Sequence, residues 1–177
     1  MKSRPEAKVI FVSIALASLT GCGMTDAKGA GGVLSAGTST SLAAAGRAEK
    51  ISSEIRDVFG IKGKESVTGP GVSECGGKDP DKYFQIFHPW SFTPASPERL
   101  GAVMERLEEE LPKRGWKVVE YGSDGSKNRN IGLTAENDEK KHSVKIWHYA
   151  KRNPPKLSLM VVSGCYQVPD GEKVDWF

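Results

Sequence analysis

The residues of this chain that could do chemistry are three histidines, three cysteines and a run of three glutamates. His142 and His148 share parity on one predicted strand, but the residues between them separate the two by about 20 Å, too far to bind one metal ion. His88 could meet His148 if their strands are neighbours, yet no carboxylate stands beside either in the sequence. We therefore predict no metal site and no cofactor.

The sequence lacks motifs with a known catalytic mechanism. It has no Gly-x-Ser-x-Gly elbow and no cysteine beside a histidine. Its glycine-rich segments do not end in the Gly-Lys-Ser/Thr of a phosphate-binding loop. The run Glu108-Glu109-Glu110 lies opposite the apolar stripe of its predicted helix, which is typical of a solvated face. The sequence therefore predicts no catalytic residue.

The first residues have the pattern of an export signal. A basic start ending at Lys8 is followed by an apolar run, Val9 to Leu19, which as a helix is about 16 Å long, against about 30 Å for a bilayer core. The next residues, Leu19-Thr20-Gly21-Cys22, resemble the lipobox of bacterial lipoproteins. The resemblance implies that residues 1–21 are a signal peptide and that Cys22 is lipidated and becomes the mature N-terminus. The alternative is an ordinary secretory peptide with a chance cysteine.

Residues 22–40 are mostly Gly, Ala, Ser and Thr, which predicts a flexible tether between the lipid anchor and a folded domain. The hydroxyl side chains of this tether could carry O-glycans, or they could serve flexibility alone. We expect residues 41–177 to form a single α+β domain outside the cytoplasm.

Cys75 and Cys165 are the two cysteines that remain if Cys22 is lipidated. An even pair in an exported chain indicates a disulfide. It would close a loop of about 90 residues and stabilise the fold by about 4–5 kcal/mol in the chain-entropy model. The alternative is two free thiols.

Two segments have the apolar spacing of helices. In the first, Ser41 is a candidate cap, Gly60 a candidate C-terminal stop, and the stripe is Ile51, Ile55, Val58 and Phe59. In the second, Ser96 and Pro97 begin the helix and Pro112 ends it. Its stripe consists of Leu100, Val103, Met104, Leu107 and Leu111.

Alternating apolar residues predict strands over residues 83–92, 116–121, 131–135, 142–148 and 157–165. Pro89 indicates that the first of these strands lies at a sheet edge or bends. Short polar turns separate the last three strands, so we expect antiparallel neighbours. The predicted fold class is α+β, with a single twisted, mostly antiparallel sheet of four to five strands and two helices in the order α-β-α-β-β-β. We expect the helices mainly on one face.

One predicted strand offers a candidate binding face. Val144, Ile146 and His148 point one way and should meet the second helix, while Lys145, Trp147 and Tyr149 point the other way. Aromatic rings beside a lysine on an open sheet suit recognition. The alternative is that the first helix covers this second face, which would make Trp147 and Tyr149 core residues.

The whole chain resembles the small secreted lipoproteins of actinobacteria, the mycobacterial LppA-like group in particular. Beyond the lipobox, the resemblance rests on layout: Thr68-Gly69-Pro70-Gly71, the two cysteines, and the leucine-rich helix that runs into Gly115-Trp116. It implies a location at the cell membrane, lipid-anchored on the outer, extracytoplasmic face. It implies no chemistry.

Charge narrows the choice of partner. The net charge is +3, and residues 1–21 hold three basic residues and one acidic residue, so the remainder carries about +1. Because nucleic-acid binding depends on clustered Lys and Arg, we expect no nucleic-acid partner. We predict a non-enzymatic binding or structural module of the cell envelope, tethered to the membrane through Cys22, whose partner is an envelope protein, a cell-wall component or a small ligand. The alternative is an envelope hydrolase or transferase with a site that the sequence does not reveal.

Overall fold

The structure is a computed structural model that describes residues 34–177. In this range the elements are β1 (Ser35–Thr38), α1 (Ser41–Val58), β2 (Gly63–Glu65), β3 (Gly71–Glu74), β4 (Tyr83–Pro94), α2 (Leu100–Lys113), β5 (Lys117–Ser123), β6 (Ile131–Asn137), β7 (His142–Tyr149), β8 (Lys156–Ser163) and β9 (Cys165–Gln167). A 3₁₀ turn, Pro97–Arg99, leads into α2.

The nine strands form one mixed, curled sheet, a half-barrel. The predicted single sheet of four to five strands in the order α-β-α-β-β-β was therefore wrong. The prediction missed four short strands: β1, β2, β3 and β9. They have three or four residues each and no run of alternating apolar side chains, so their pairing depends on neighbouring strands rather than on a local pattern.

Hydrogen-bonded neighbours run β1-β9-β4-β8-β7-β6-β5. The meander from β5 to β8 is antiparallel, as predicted for its last three strands, and β8 pairs antiparallel with β4. The predicted last strand is broken at Gly164, and its end is β9. A Cβ atom on Gly164 would lie 2.5 Å from the Leu34 carbonyl oxygen, so only glycine allows β1 to approach this closely.

The last residues of the predicted tether belong to the sheet. Ser35–Thr38 form β1 and pair in parallel with β9, which makes the sheet mixed. Backbone hydrogen bonds to β9 hold this segment, although its small side chains gave no strand signal in the sequence.

Helix α1 begins one residue earlier than a Ser41 cap would place it. The Thr40 hydroxyl is the cap and accepts a hydrogen bond from the Ala43 N–H at 3.2 Å. Gly60 follows the end of α1 with φ of +62°, a conformation that favours glycine, as predicted. The Arg106 guanidinium of α2 donates to the Phe59 carbonyl at 3.0 Å, which fastens the end of α1 to α2.

Both helices pack on the same face of the sheet. The predicted apolar stripes of both helices are buried, and both belong to one core cluster with inward residues of β4, β6, β7 and β8. A second cluster joins alanines of α1 to β4, β9 and the C-terminal segment: Ala44, Ala45, Ala48, Phe84, Ile86, Tyr166, Val168 and Val174. The other face of the sheet has no helix over it in residues 34–177.

Candidate functional site

Lys145, Trp147 and Tyr149 lie on the face without helices. On β7 they alternate with Val144 and Ile146, which are buried in the core cluster that includes α2, as predicted. Because α1 packs beside α2, the alternative in which α1 covers Trp147 and Tyr149 does not hold in the described structure. We call this surface the open face.

Small neighbours surround the indole of Trp147. The cross-strand partners of Trp147 are Gly132 on β6 and Ser158 on β8, and neither has a side chain large enough to stand over the ring. The Lys145 ammonium lies 5.3 Å from the centroid of the Trp147 ring. Trp147 is half-buried, and the open face offers an aromatic ring with a cation over it.

The open face continues as an apolar strip onto β8 and β4. Met160 pairs with Pro89 and Val162 pairs with Phe87, and all four are half-buried. A Cβ atom at Gly71 on β3 would lie 2.5 Å from the Phe87 ring, so the glycine lets this ring lie against the neighbouring strand.

Cations gather at the end of the open face near the turn between β7 and β8. Tyr149 pairs with Lys156, and the Arg152 guanidinium carbon lies 5.2 Å from the centroid of the Tyr149 ring. In residues 34–177, no carboxylate lies within 4.0 Å of the cationic groups of Lys145, Arg152 and Lys156. This end of the face therefore has positive charge available for an anionic partner.

A polar cleft of about 510 Å³ lies on the helix side of the sheet. One wall is the face of α1 that carries Glu49, Ser52 and Arg56. The opposite wall is the segment 65–68, and His88 and Trp90 of β4 lie between the walls. A volume of this size is in the usual range for a small-molecule site.

A chain of hydrogen bonds crosses this cleft. The Ser52 hydroxyl lies 2.8 Å from Nδ1 of His88, and Nε2 of His88 lies 2.9 Å from the Thr68 carbonyl oxygen. Ser52 and His88 are only 5% and 8% exposed, yet both line the cleft. The sequence reasoning named His88 but missed Ser52. The available signal was that each is a polar residue at an inward position of its element.

Pro89 explains why the segment 66–68 sits against β4. On one edge of β4, β3 pairs with residues 84–87 and β2 with residues 92–94, which leaves a gap in the ladder around Pro89. Ser66 fills the gap by exchanging two hydrogen bonds of 2.9 Å with Ser91, and the Thr68 hydroxyl donates to the Pro89 carbonyl. The predicted edge or bend at Pro89 is thus a local gap in a strand that is paired on both edges elsewhere.

The charges of the cleft are mostly acidic. Glu49, Asp57 and Glu65 line it, and Arg56 pairs with Glu65 at 2.7 Å. The indole N–H of Trp90 is buried and has no hydrogen-bond partner among the described residues. A buried donor without a partner costs about 1–3 kcal/mol.

The other two histidines do not join His88. Strand β8 lies between β4 and β7, so the strands of His88 and His148 are not neighbours. His88 pairs with Val161 and His148 pairs with Leu157, and the two histidines do not meet. Burial lowers the pKa of His142 and of His148. No group of His, Cys, Asp and Glu in residues 34–177 has the arrangement of a metal site.

The sulfurs of Cys75 and Cys165 lie 2.02 Å apart, the distance of a disulfide bond. This bond joins the segment after β3 to the start of β9. The predicted lipidation site Cys22 and the signal peptide of residues 1–21 lie outside the described residues. From residue 34 onward, no helix has the length and apolar character needed to cross a bilayer.

No protein family, no curated protein and no solved structure matches this chain. The function therefore has to be argued from the chemistry of the open face and the cleft.

Proposed function

We propose that the protein is a lipoprotein of the bacterial cell envelope that binds an acidic envelope polysaccharide through its open face. Its anchor is Cys22, and its domain stands on the outer, extracytoplasmic side of the membrane. The anchor and the likeness to actinobacterial lipoproteins rest on the lipobox-like run Leu19-Thr20-Gly21-Cys22. The binding rests on the surface around Trp147.

One observation carries the binding proposal: both helices pack on one face, and the aromatic residues of β7 lie on the other. Isolated apolar residues on a surface are ordinary. Here Trp147 and Tyr149 continue into an apolar strip that includes Met160 and Phe87, and no described helix packs on them. A continuous patch of this kind is typical of an interaction site.

The chemistry of the open face favours an acidic polysaccharide. The C–H face of a sugar ring packs well on a flat aromatic ring, and Trp147 presents such a ring between Gly132 and Ser158. Lys145 and Arg152 stand over the rings of Trp147 and Tyr149 and can pair with carboxylate or phosphate groups of a sugar polymer.

Retention on immobilised polysaccharides tests the binding. The mature, full-length protein should be retained on a polymer of uronic acids and not on neutral dextran, and added salt should weaken retention. Trp147→Ala should reduce affinity about tenfold or more. Tyr121→Ala is the matched control, because Tyr121 is an exposed aromatic on the helix side of the sheet, near Glu105 and Glu108.

Equal retention of the Trp147→Ala variant and the wild-type protein would contradict the proposal. So would equal loss in the Trp147→Ala and Tyr121→Ala variants. Thermal unfolding of each variant checks that the comparison is made between folded proteins.

The anchor has its own test. Cys22→Ala should abolish acylation, because it removes the thiol that would carry the lipid. The protein should then leave the membrane fraction or remain as the uncleaved precursor, since it lacks the acyl chains that hold it to the membrane. Membrane fractionation and intact mass measure this. Normal retention and mass of that variant would contradict the anchor while leaving the binding face untouched.

A further inference from the structure

The hydrogen-bonded chain of Ser52, His88 and Thr68 is not used by the open face. It lies on the helix side of the sheet, at the bottom of the polar cleft. The contact pattern fixes the roles of the atoms. The Thr68 carbonyl oxygen can only accept a hydrogen bond, so the neutral imidazole carries its proton on Nε2 and donates it to Thr68. Nδ1 is then a bare acceptor, and the Ser52 hydroxyl donates to it over 2.8 Å.

A serine that donates to a histidine held in place by a third group has the arrangement of an activated nucleophile. We propose that Ser52 is the nucleophile and His88 the general base of an acyl-transfer site that hydrolyses esters. This goes beyond the proposed function, because the cleft and the open face lie on opposite sides of the sheet and either can fail without the other.

The proposed reaction has two halves, the acylation of Ser52 and the hydrolysis of the acyl-serine. The Ser52 oxygen attacks the ester carbonyl carbon, and its proton passes to Nδ1 of His88. The bond from this carbon to the alcohol oxygen breaks, and His88 returns the proton to the departing alcohol. Water then attacks the acyl-serine, giving one proton to Nδ1. The carboxylic acid leaves, and Ser52 recovers its proton from His88.

The surroundings fit the charges that develop in this step. The imidazolium that forms on His88 is stabilised by the Thr68 carbonyl and by the acidic lining of the cleft, Glu49 and Asp57. Among the residues that line the cleft, Arg56 has a guanidinium that can donate to the oxyanion of the tetrahedral intermediate. Because carboxylates outnumber cations in the lining, the substrate class is an ester that is neutral or carries a cationic group.

Labelling with a fluorophosphonate tests the nucleophile directly. The Ser52 oxygen attacks phosphorus, fluoride leaves, and the proton passes through His88 to solvent. Mass spectrometry of the mature, full-length protein should find the adduct on the peptide that contains Ser52. Ser53 is the matched control, because it is the next residue, is exposed, and donates its hydroxyl to the Glu49 carbonyl rather than to a histidine.

The expected pattern is loss of labelling in Ser52→Ala, wild-type labelling in Ser53→Ala, and labelling at least about 100-fold slower in His88→Asn, the usual contribution of a general base. Hydrolysis of acetylcholine, a cationic ester, should follow the same order and exceed that of an anionic succinyl ester. If His88→Asn does not fold, the two serine variants carry the test alone, since each removes only a hydroxyl. No adduct on the wild-type protein, or an adduct that persists in Ser52→Ala, would overturn the proposal.

Discussion

The two edges of β4 are built differently. On one edge, β8 and β9 follow β4 through a ladder from Phe92 to Tyr83, with one interruption at Gly164. On the other edge, β3 and β2 each supply three or four residues, and serine and threonine side chains bridge the gap between them. We call them the β8 edge and the β2/β3 edge. The first holds the core and the open face in place by apolar packing, and the second forms one wall of the cleft from polar contacts.

This difference predicts that the two edges of β4 differ in how easily they unfold locally. Interior side chains of β8 such as Leu159 and Val161 are almost fully buried, whereas residues of β2 are exposed. Segments with few buried apolar contacts open at lower free energy than core strands. We therefore expect the β2/β3 edge to open locally while the β8 edge stays folded.

The largest expected effect is loss of the disulfide, which ties the segment after β3 to β9. Replacing Cys75 and Cys165 together by serine should lower the free energy of unfolding by about 4 kcal/mol, because the bond closes a loop with a sequence separation of 90. Urea unfolding measures this. A loss below about 1 kcal/mol would mean that the β2/β3 edge does not depend on the bond.

Leu159→Ala should cost about 3 kcal/mol, since its buried side chain lies on β8 between Trp90 and Ile146 and truncation leaves a cavity. Exposed Val67→Ala is the control and should change little. Chemical denaturation compares the two variants. Equal effects would remove the distinction between the two edges.

Ser66→Ala should cost about 1 kcal/mol, the net value of the hydrogen bond that its hydroxyl accepts from the Ser91 N–H. Amide hydrogen exchange should quicken in β2 and at Ser91 but not in the ladder between β7 and β8. Uniform acceleration across the sheet would show that the β2/β3 edge does not open on its own.

The smallest expected effect is a pH dependence of stability that arises at His142, the first residue of β7. Burial lowers the pKa of His142 below its usual value near 6.5. The hydrogen bond with the Lys140 carbonyl opposes this shift, and the nearby charges of Arg47 and Lys140 add to it, so that the pKa stays lowered. The unfolded chain therefore takes up the proton more readily, so stability is full above about pH 6.5 and falls as the pH decreases through that value. Thermal unfolding between pH 7.5 and 5 should show this slope, and His142→Gln should make it less steep. Part of the slope should remain in this variant, because burial also lowers the pKa of His148. An unchanged slope in that variant would exclude His142 as its source.

The long elements were predictable because their patterns are local. The stripes of α1 and α2 and the alternation of β7 identify inward residues such as Ile55, Leu107 and Ile146 without reference to the rest of the chain. The β2/β3 edge was not predictable in this way. Strands β2 and β3 form only because their backbones hydrogen-bond to β4. The position of β4 depends in turn on β8 and β9, which come much later in the chain.

The two candidate sites also differ in how far the sequence predicts them. Trp147 and Tyr149 were placed on one face by alternation alone, although the sequence left open which face α1 would cover. The contact of Ser52 with His88 joins α1 to β4 across 36 residues, and no spacing rule identifies such a pair before the helix is docked.

The parallel pairing of β1 with β9 has a mechanical consequence. The Cys165 N–H donates to the Leu34 carbonyl at 2.7 Å and the Ser39 N–H donates to the Gln167 carbonyl at 2.9 Å, so hydrogen bonds tie both ends of β1 to β9. A pulling force applied at Leu34 along β1 acts across these bonds in shear, and they must break together rather than one after another. From β9, the force reaches Cys165 and passes through a covalent bond to Cys75. The domain thus takes tension at a point where a disulfide supports a short strand, and we expect these bonds to protect the core when the chain is pulled from that end.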